Sequence, residues 1–155
     1  MDDARPAASS ASVFVCRGNI NRSAFAAEVA RTLGAHVTSF GMAATPGAPA
    51  SRPAIAQAQR LGHDLTKHHA MHFSSYAYAE DDLVVVMEVR HAYELVAFGV
   101  PRNAIALLGY WATPRRIHIH DPQQLAEEYF ATCFTVIESA VRRLVAQYPT
   151  ESLVS

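Results

Sequence analysis

Residues 12–34 read SVFVCRGNINRSAFAAEVARTLG, and within that stretch one kind of pattern gives way to another. The run at 12–16 is short, apolar and rich in β-branched and aromatic side chains, which is how a buried strand reads. From Arg22 onward the period changes. Phe25, Val29 and Leu33 recur at four-residue spacing with Ala26 and Ala30 beside them, one face of a helix that Gly34 stops. Between strand and helix lies only the turn 17–21. The rest of the chain continues in kind. Further strands are expected at 36–40 (HVTSF), 83–87 (LVVVM) and 104–108 (AIALL), each closed by glycine or polar residues. A second helix is expected from Pro53 to Leu61, capped by Ser51 and stopped by Gly62, and a third over 89–98. The last helix is expected to open at Pro122 and run on a stripe of Leu125, Tyr129, Cys133, Ile137, Val141 and Leu144 as far as Pro149. Strands alternating with helices predict an α/β fold: a single domain with a four-stranded parallel sheet and helices on both faces, Rossmann-like in layout. Ligands in such folds bind beyond the carboxyl ends of the strands, and Cys16 stands at that end of the first.

At 155 residues, half of them apolar, the chain has the size of one globular domain, placed at 12–150. The first eleven residues, MDDARPAASSA, are Ala- and Ser-rich, lack an apolar signal core and are expected to be a disordered tail. A net charge of -1, with both signs mixed along the sequence, argues against nucleic acid as a partner. No apolar run approaches the roughly 18 residues of a membrane helix, so no membrane insertion is expected. Two cysteines make no disulfide framework, and the expected location is the cytoplasm, with reduced thiols.

The turn after the first strand carries the chemistry. Cys16 is followed by Arg17, Gly18, Asn19, Ile20, Asn21, Arg22 and Ser23, a C-x5-R-S pattern at the start of a helix. In that position the backbone N–H groups of successive residues can converge on one tetrahedral anion. Gly18 and Asn19 tolerate the left-handed angles that a concave turn needs. Arg22 offers a bidentate fork to two oxygens of a phosphoryl group. A thiol at a helix N-terminus beside an arginine has its pKa lowered and becomes a competent nucleophile, and Ser23 can donate a hydrogen bond to the sulfur. The spacing fits neither the Walker loop nor the dinucleotide fingerprint, since Gly18 is the loop's one glycine. Cys133, on the stripe of the last helix, reads as an ordinary buried thiol.

The stretch VFVCRGNINRSAFAAE resembles the active-site loop of the low-molecular-weight protein tyrosine phosphatases, bacterial type. SFG at 39–41, LTKHH at 65–69, VVVMEVRH at 84–91 and HDP at 120–122 resemble further segments of that family in order. The resemblance implies that family's fold, with Cys16, Arg22 and Asp121 catalytic. It implies Arg17, Gly18, Asn19, Ile20, Asn21 and Ser23 as the substrate-binding loop. Asn19, Ser39 and His68 would brace that loop, and Pro122 would restrain the segment carrying Asp121 by its fixed φ. Four positions depart from the family's pattern. Asn21 stands where most relatives have a second cysteine, so the disulfide that would shield an oxidised nucleophile cannot form. Ala24 replaces a proline, Met71 a basic residue, and Gln123 the aromatic residue that follows Asp-Pro. Phe40, Tyr110 and Trp111 are the aromatic residues that could flank a phenyl ring in its place, and GYWATPRR at 109–116 could wall the cleft.

The expected activity is hydrolysis of phosphotyrosine monoesters in proteins through a phosphocysteine intermediate, with no metal and no cofactor. The partners are then a phosphotyrosine-bearing protein, one candidate being a bacterial tyrosine kinase of capsule or exopolysaccharide production, and phosphate or another oxyanion in the loop. The alternatives are a phosphate-binding regulatory module weakened in turnover, and an arsenate reductase, which needs two further cysteines where only Cys133 remains. His68 and His72 could share a metal only if their segment were helical.

Overall fold

The computed structural model describes residues 11–148. Four strands, β1 (Ser12–Cys16), β2 (Val37–Gly41), β3 (Leu83–Val86) and β4 (Ile105–Leu107), form one sheet in the order β2-β1-β3-β4. Every pairing is parallel, with Val13 opposite Thr38 on one side and Val84 on the other. The helices are α1 (Arg22–Thr32), α2 (Arg52–Arg60), α3 (Val89–Ala97) and α4 (Glu127–Gln147). Alternation along β1 divides the core between two faces. Phe14 and Cys16 point to the side where α1, α2 and α4 pack, together with Val85 and Met87. Val13 and Val15 point to the other, with Val84, Val86 and, from α3, Leu95. Phe25 of α1 stacks on Phe134 of α4 with ring centroids 4.2 Å apart, which pins the two helices where they cross.

The strand and helix limits differ from the sequence expectation by a residue or so, except at the last helix. That helix starts at Glu127 and not at Pro122. Residues 121–126 are a turn in which Gln124 takes φ 66°, a left-handed angle that no helix accommodates. The buried stripe shifts accordingly to Phe130, Cys133, Phe134, Ile137, Ala140, Val141 and Leu144, while Leu125 and Tyr129 are exposed. Pro149, the expected stop, and the tail at 1–10 lie outside the described residues. Ala11, expected in the tail, donates its N–H to Asp82 Oδ1 at 3.0 Å and so joins the folded part. Among the described residues no helix is long and apolar enough to cross a membrane.

Candidate active site

β1 is an inner strand, and its carboxyl end delivers Cys16 to the start of α1. The carbonyls of the loop point outward: Cys16 O accepts from Met42 N, Arg17 O from Ala43 N, Ile20 O from Ser51 N, and Asn21 O from Phe25 N, at 2.8–3.1 Å. Asn19 O accepts from His68 Nε2–H at 2.6 Å. A peptide plane that turns its carbonyl out turns the next N–H in, so the amides of the loop face a common centre. Asn19 takes φ 57° at the sharpest point. Gly18 is not left-handed, contrary to the sequence expectation. The glycine that the loop does require is Gly41. A Cβ there would lie 2.7 Å from Arg17 O and 2.9 Å from Asn19 N, so the end of β2 is pressed against the loop backbone.

The Asn19 side chain ties this together. Its Nδ2 donates to Ser23 Oγ at 2.8 Å and Ser39 Oγ at 2.9 Å, and its Oδ1 accepts from Met71 N at 2.9 Å. Ser23 Oγ, which accepts from Asn19, lies 3.0 Å from the Cys16 sulfur and can donate its proton there, with Phe40 O at 3.4 Å as the other acceptor in reach. Ser23 N also points at that sulfur, at 3.4 Å. Asn19, Ser39 and His68 therefore meet, with Met71 contributing backbone where the family pattern has a basic side chain. Burial lowers the pKa of His68 against the opposing pull of the Asn19 carbonyl, keeping the ring neutral with its proton on Nε2.

Arg22 is 1% exposed. Its Nη1 donates to Glu88 Oε2 at 2.6 Å and to Ile119 O at 2.7 Å, which fixes the plane of the guanidinium. Burial alone would lower its pKa, but the Cys16 sulfur, Glu88 and Asp121 more than offset that and raise it. Glu88 in turn is held below the usual carboxyl range: its desolvation is outweighed by Arg22 and Arg90. The opposite edge of the guanidinium, Nε and Nη2, is buried and has no hydrogen-bond partner among the described residues. Two parallel N–H donors on a planar edge are what an oxyanion accepts. Sequence reasoning missed Glu88, although it follows the apolar run of β3 and stands, like Cys16, at the carboxyl end of an inner strand. His91, also missed, is 2% exposed. Burial first, and then the field of Arg22, push its pKa down to about 4, so it adds no positive charge beside the loop.

Asp121 closes the site from the far side. Its Oδ2 lies 3.7 Å from Arg22 Nη2, and its Oδ1 accepts from Gln123 N at 3.1 Å. Pro122 is buried beneath this turn. Between the loop and Asp121 is a hollow of about 180 Å³ bordered by Cys16, Arg17, Gly18, Ile20, Asn21, Ala43, Asp121 and Gln123. None of the aromatic residues expected to flank it does so. Phe40 packs into the core against Phe73 and Tyr76, Trp111 bonds to Gln147 of α4, and Tyr110 lies outside under Arg115. The segment at 65–72 is not helical, and His68 and His72 turn to separate partners, Asn19 and Ser74.

Residues 12–153 match the sequence profile of the family described as "Low molecular weight phosphotyrosine protein phosphatase". The low molecular weight protein-tyrosine-phosphatase Wzb of Escherichia coli K12 is 31% identical over 132 residues, covering 83% of this chain and 88% of that one. Among solved structures, Wzb of Vibrio vulnificus in complex with benzylphosphonate superposes with TM-score 0.78 at 28% identity, over 89% of this chain and 98% of that one. Wzb of Escherichia coli K30 in complex with sulphate gives TM-score 0.78 at 27% identity, over 90% and 98%.

Proposed function

The chain belongs to the low molecular weight phosphotyrosine protein phosphatase family, and from that premise we propose that it hydrolyses phosphotyrosine in proteins by way of a phosphocysteine at Cys16. The sulfur attacks phosphorus as a thiolate. The S–P bond forms as the P–O bond breaks, the electron pair leaves with the phenolic oxygen, and Asp121 gives that oxygen its proton. The Asp121 carboxylate then takes a proton from water as the water attacks phosphorus, and the S–P bond breaks to release phosphate. Arg22 and the inward amides of 17–22 hold the three remaining oxygens throughout, a preorganised stabilisation of the charge that builds in the transition state. Ser23 stabilises the sulfur when it leaves.

The observation that carries this reading is the buried, unpartnered Nε/Nη2 edge of Arg22 beside a sulfur that already receives hydrogen bonds. Leaving such donors unpaired costs folding free energy, and a bound phosphoryl group repays it. The sulphate and benzylphosphonate held by two relatives belong to the same class of anion. Cys133 supports phosphatase chemistry over arsenate reduction: burial pushes its thiol up to about 12, unsuited to relaying a disulfide. The substrate protein we put forward is a bacterial tyrosine kinase in the cytoplasm, the partner implied by the sequence resemblance. Steady-state hydrolysis of p-nitrophenyl phosphate by the wild type and by Cys16→Ser tests the reading. Turnover by the former and none by the latter is expected. A wild type that binds phosphate but shows no turnover points to the regulatory-module alternative.

A further inference from the structure

The two departures from the family's pattern that border the hollow touch one another. Asn21, 3% exposed, directs its Nδ2 to Gln123 Oε1 at 2.8 Å and to Asp121 Oδ1 at 3.4 Å. Its Oδ1 accepts from Ser51 Oγ at 2.5 Å, and Ser51 Oγ accepts from Ala54 N at 3.2 Å as the cap of α2. These bonds leave no freedom in the orientation of the Asn21 amide. Ser51 Oγ accepts from the helix and donates its proton to Asn21 Oδ1. Asp121 as carboxylate can only accept, so the Asn21 nitrogen must face it. The result is one directed chain of hydrogen bonds from the cap of α2, through the phosphate loop, to the turn that carries the acid.

We infer that Asn21 is a positioning residue for proton delivery: with Gln123 it latches the acid turn to the phosphate loop and differentiates the two oxygens of Asp121. Oδ1 is occupied by Gln123 N and Asn21 Nδ2, which leaves Oδ2, on the Arg22 side, as the oxygen that carries the proton to the leaving group. The latch adds a side-chain tie to a turn otherwise held by the buried Pro122 and a Leu125 N–H to Pro122 O bond of 2.9 Å, while Gln123 and Gln124 are exposed and α4 does not begin until Glu127. The inference rests on the proposed phosphatase reaction and goes beyond it in naming what sets the geometry of the acid.

A positioning defect has a signature that damage to the loop lacks. Protonation matters most for a poor leaving group and little for a good one. We therefore compare kcat/KM on phenyl phosphate and on p-nitrophenyl phosphate for the wild type, Asn21→Ala, Gln123→Ala and the double variant. The inhibition constant of inorganic phosphate serves as a check on the loop. Each single variant is expected to lose about tenfold more on phenyl phosphate than on p-nitrophenyl phosphate, and in Gln123→Ala, which lies outside the loop, phosphate inhibition is expected to stay unchanged. The double variant should lose no more than Asn21→Ala alone, since that substitution already removes both side-chain bonds from the loop to the turn. Gln123 is exposed, so its variant keeps the test alive if Asn21→Ala fails to fold. Equal losses on both substrates, unchanged rates on both, or multiplicative losses in the double variant overturn the latch while leaving the phosphatase reading intact. A wild type inactive on both substrates overturns the reading itself, and the latch with it.

Discussion

The phosphate loop at 17–22 and the acid turn at 121–126 face each other across one hollow, yet they are held in opposite ways. The loop is enclosed by β1, β2 and α1, with its carbonyls bonded outward and Asn19 and Arg22 buried. The acid turn is mostly exposed, and its Asp121 side chain is 30% accessible. The difference matches the roles proposed for them. Holding a dianion depends on donors that are already aimed and dry, because reorganising them would consume the stabilisation they supply. Delivering a proton and then receiving one requires only that one carboxyl oxygen reach the right point, with solvent close enough to furnish the attacking water.

That contrast can be broken at either end. Arg22→Lys should give the largest effect, because an ammonium cannot present the Nε/Nη2 edge and leaves Glu88 half-paired. Loss of more than about 10³-fold in kcat/KM is expected on every substrate regardless of leaving group, since a single preorganised donor is already worth 10²–10³. Asp121→Ala should cost less, about 10²-fold on phenyl phosphate, the lower part of the range for general acids because the turn is part-solvated, and much less on p-nitrophenyl phosphate. A uniform loss across both esters would erase the distinction between the two regions. Gly41→Ala probes the loop from behind. The added methyl meets Arg17 O and Asn19 N, so thermal unfolding should shift down by the equivalent of roughly 1–3 kcal/mol, the usual cost of overpacking, with phosphate inhibition weakened alongside.

The smallest effect is on stability against pH. His91 has a folded pKa of about 4, below its ordinary 6.5, so above pH 6.5 the ring is neutral in both states and contributes no slope. Below that value the unfolded chain takes up a proton that the folded protein refuses, and stability falls as pH drops toward 4. His68 is depressed too and acts in the same sense. Glu88, whose folded pKa lies under its ordinary 4.5, begins to lose its contribution only below that pH. Between pH 6.5 and 4.5 His91 and His68 both contribute to the slope, and His91→Gln should flatten part of it in melts followed by circular dichroism. An unchanged slope in that variant would show that His91 is not buried neutral.

Much of this was legible in the sequence because local pattern and tertiary role coincide there. VFVC alternates between the two faces of the sheet as written, and the C-x5-R-S spacing needs nothing distant to be recognised. What could not be read depends on contacts between segments. Glu88 is an unremarkable acid until Arg22 is folded against it. Gln123 reads as a lost aromatic residue until Asn21 is seen bonded to it. The start of α4 is hard to read because Asp-Pro followed by Leu125 and Tyr129 satisfies every local rule for a helix opening, while nothing in the sequence marks the left-handed angle of Gln124. Phe40 and Trp111, expected to stand in for the aromatic residue that the family pattern places after Asp-Pro, are buried instead, since large apolar rings go first to the core.

The placement of β1 has one more consequence. It is bonded on both sides, whereas β4 is an edge strand with partners at only Val84, Val85 and Val86. Amide protons along β1 should therefore be among the last to exchange with deuterated solvent, released only when the whole molecule opens, and those of β4 among the first. Partial excursions that fray the far edge would leave the reactive end of the central ribbon undisturbed, so brief heating or mild urea should expose the periphery well before it costs the protein its grip on an anion.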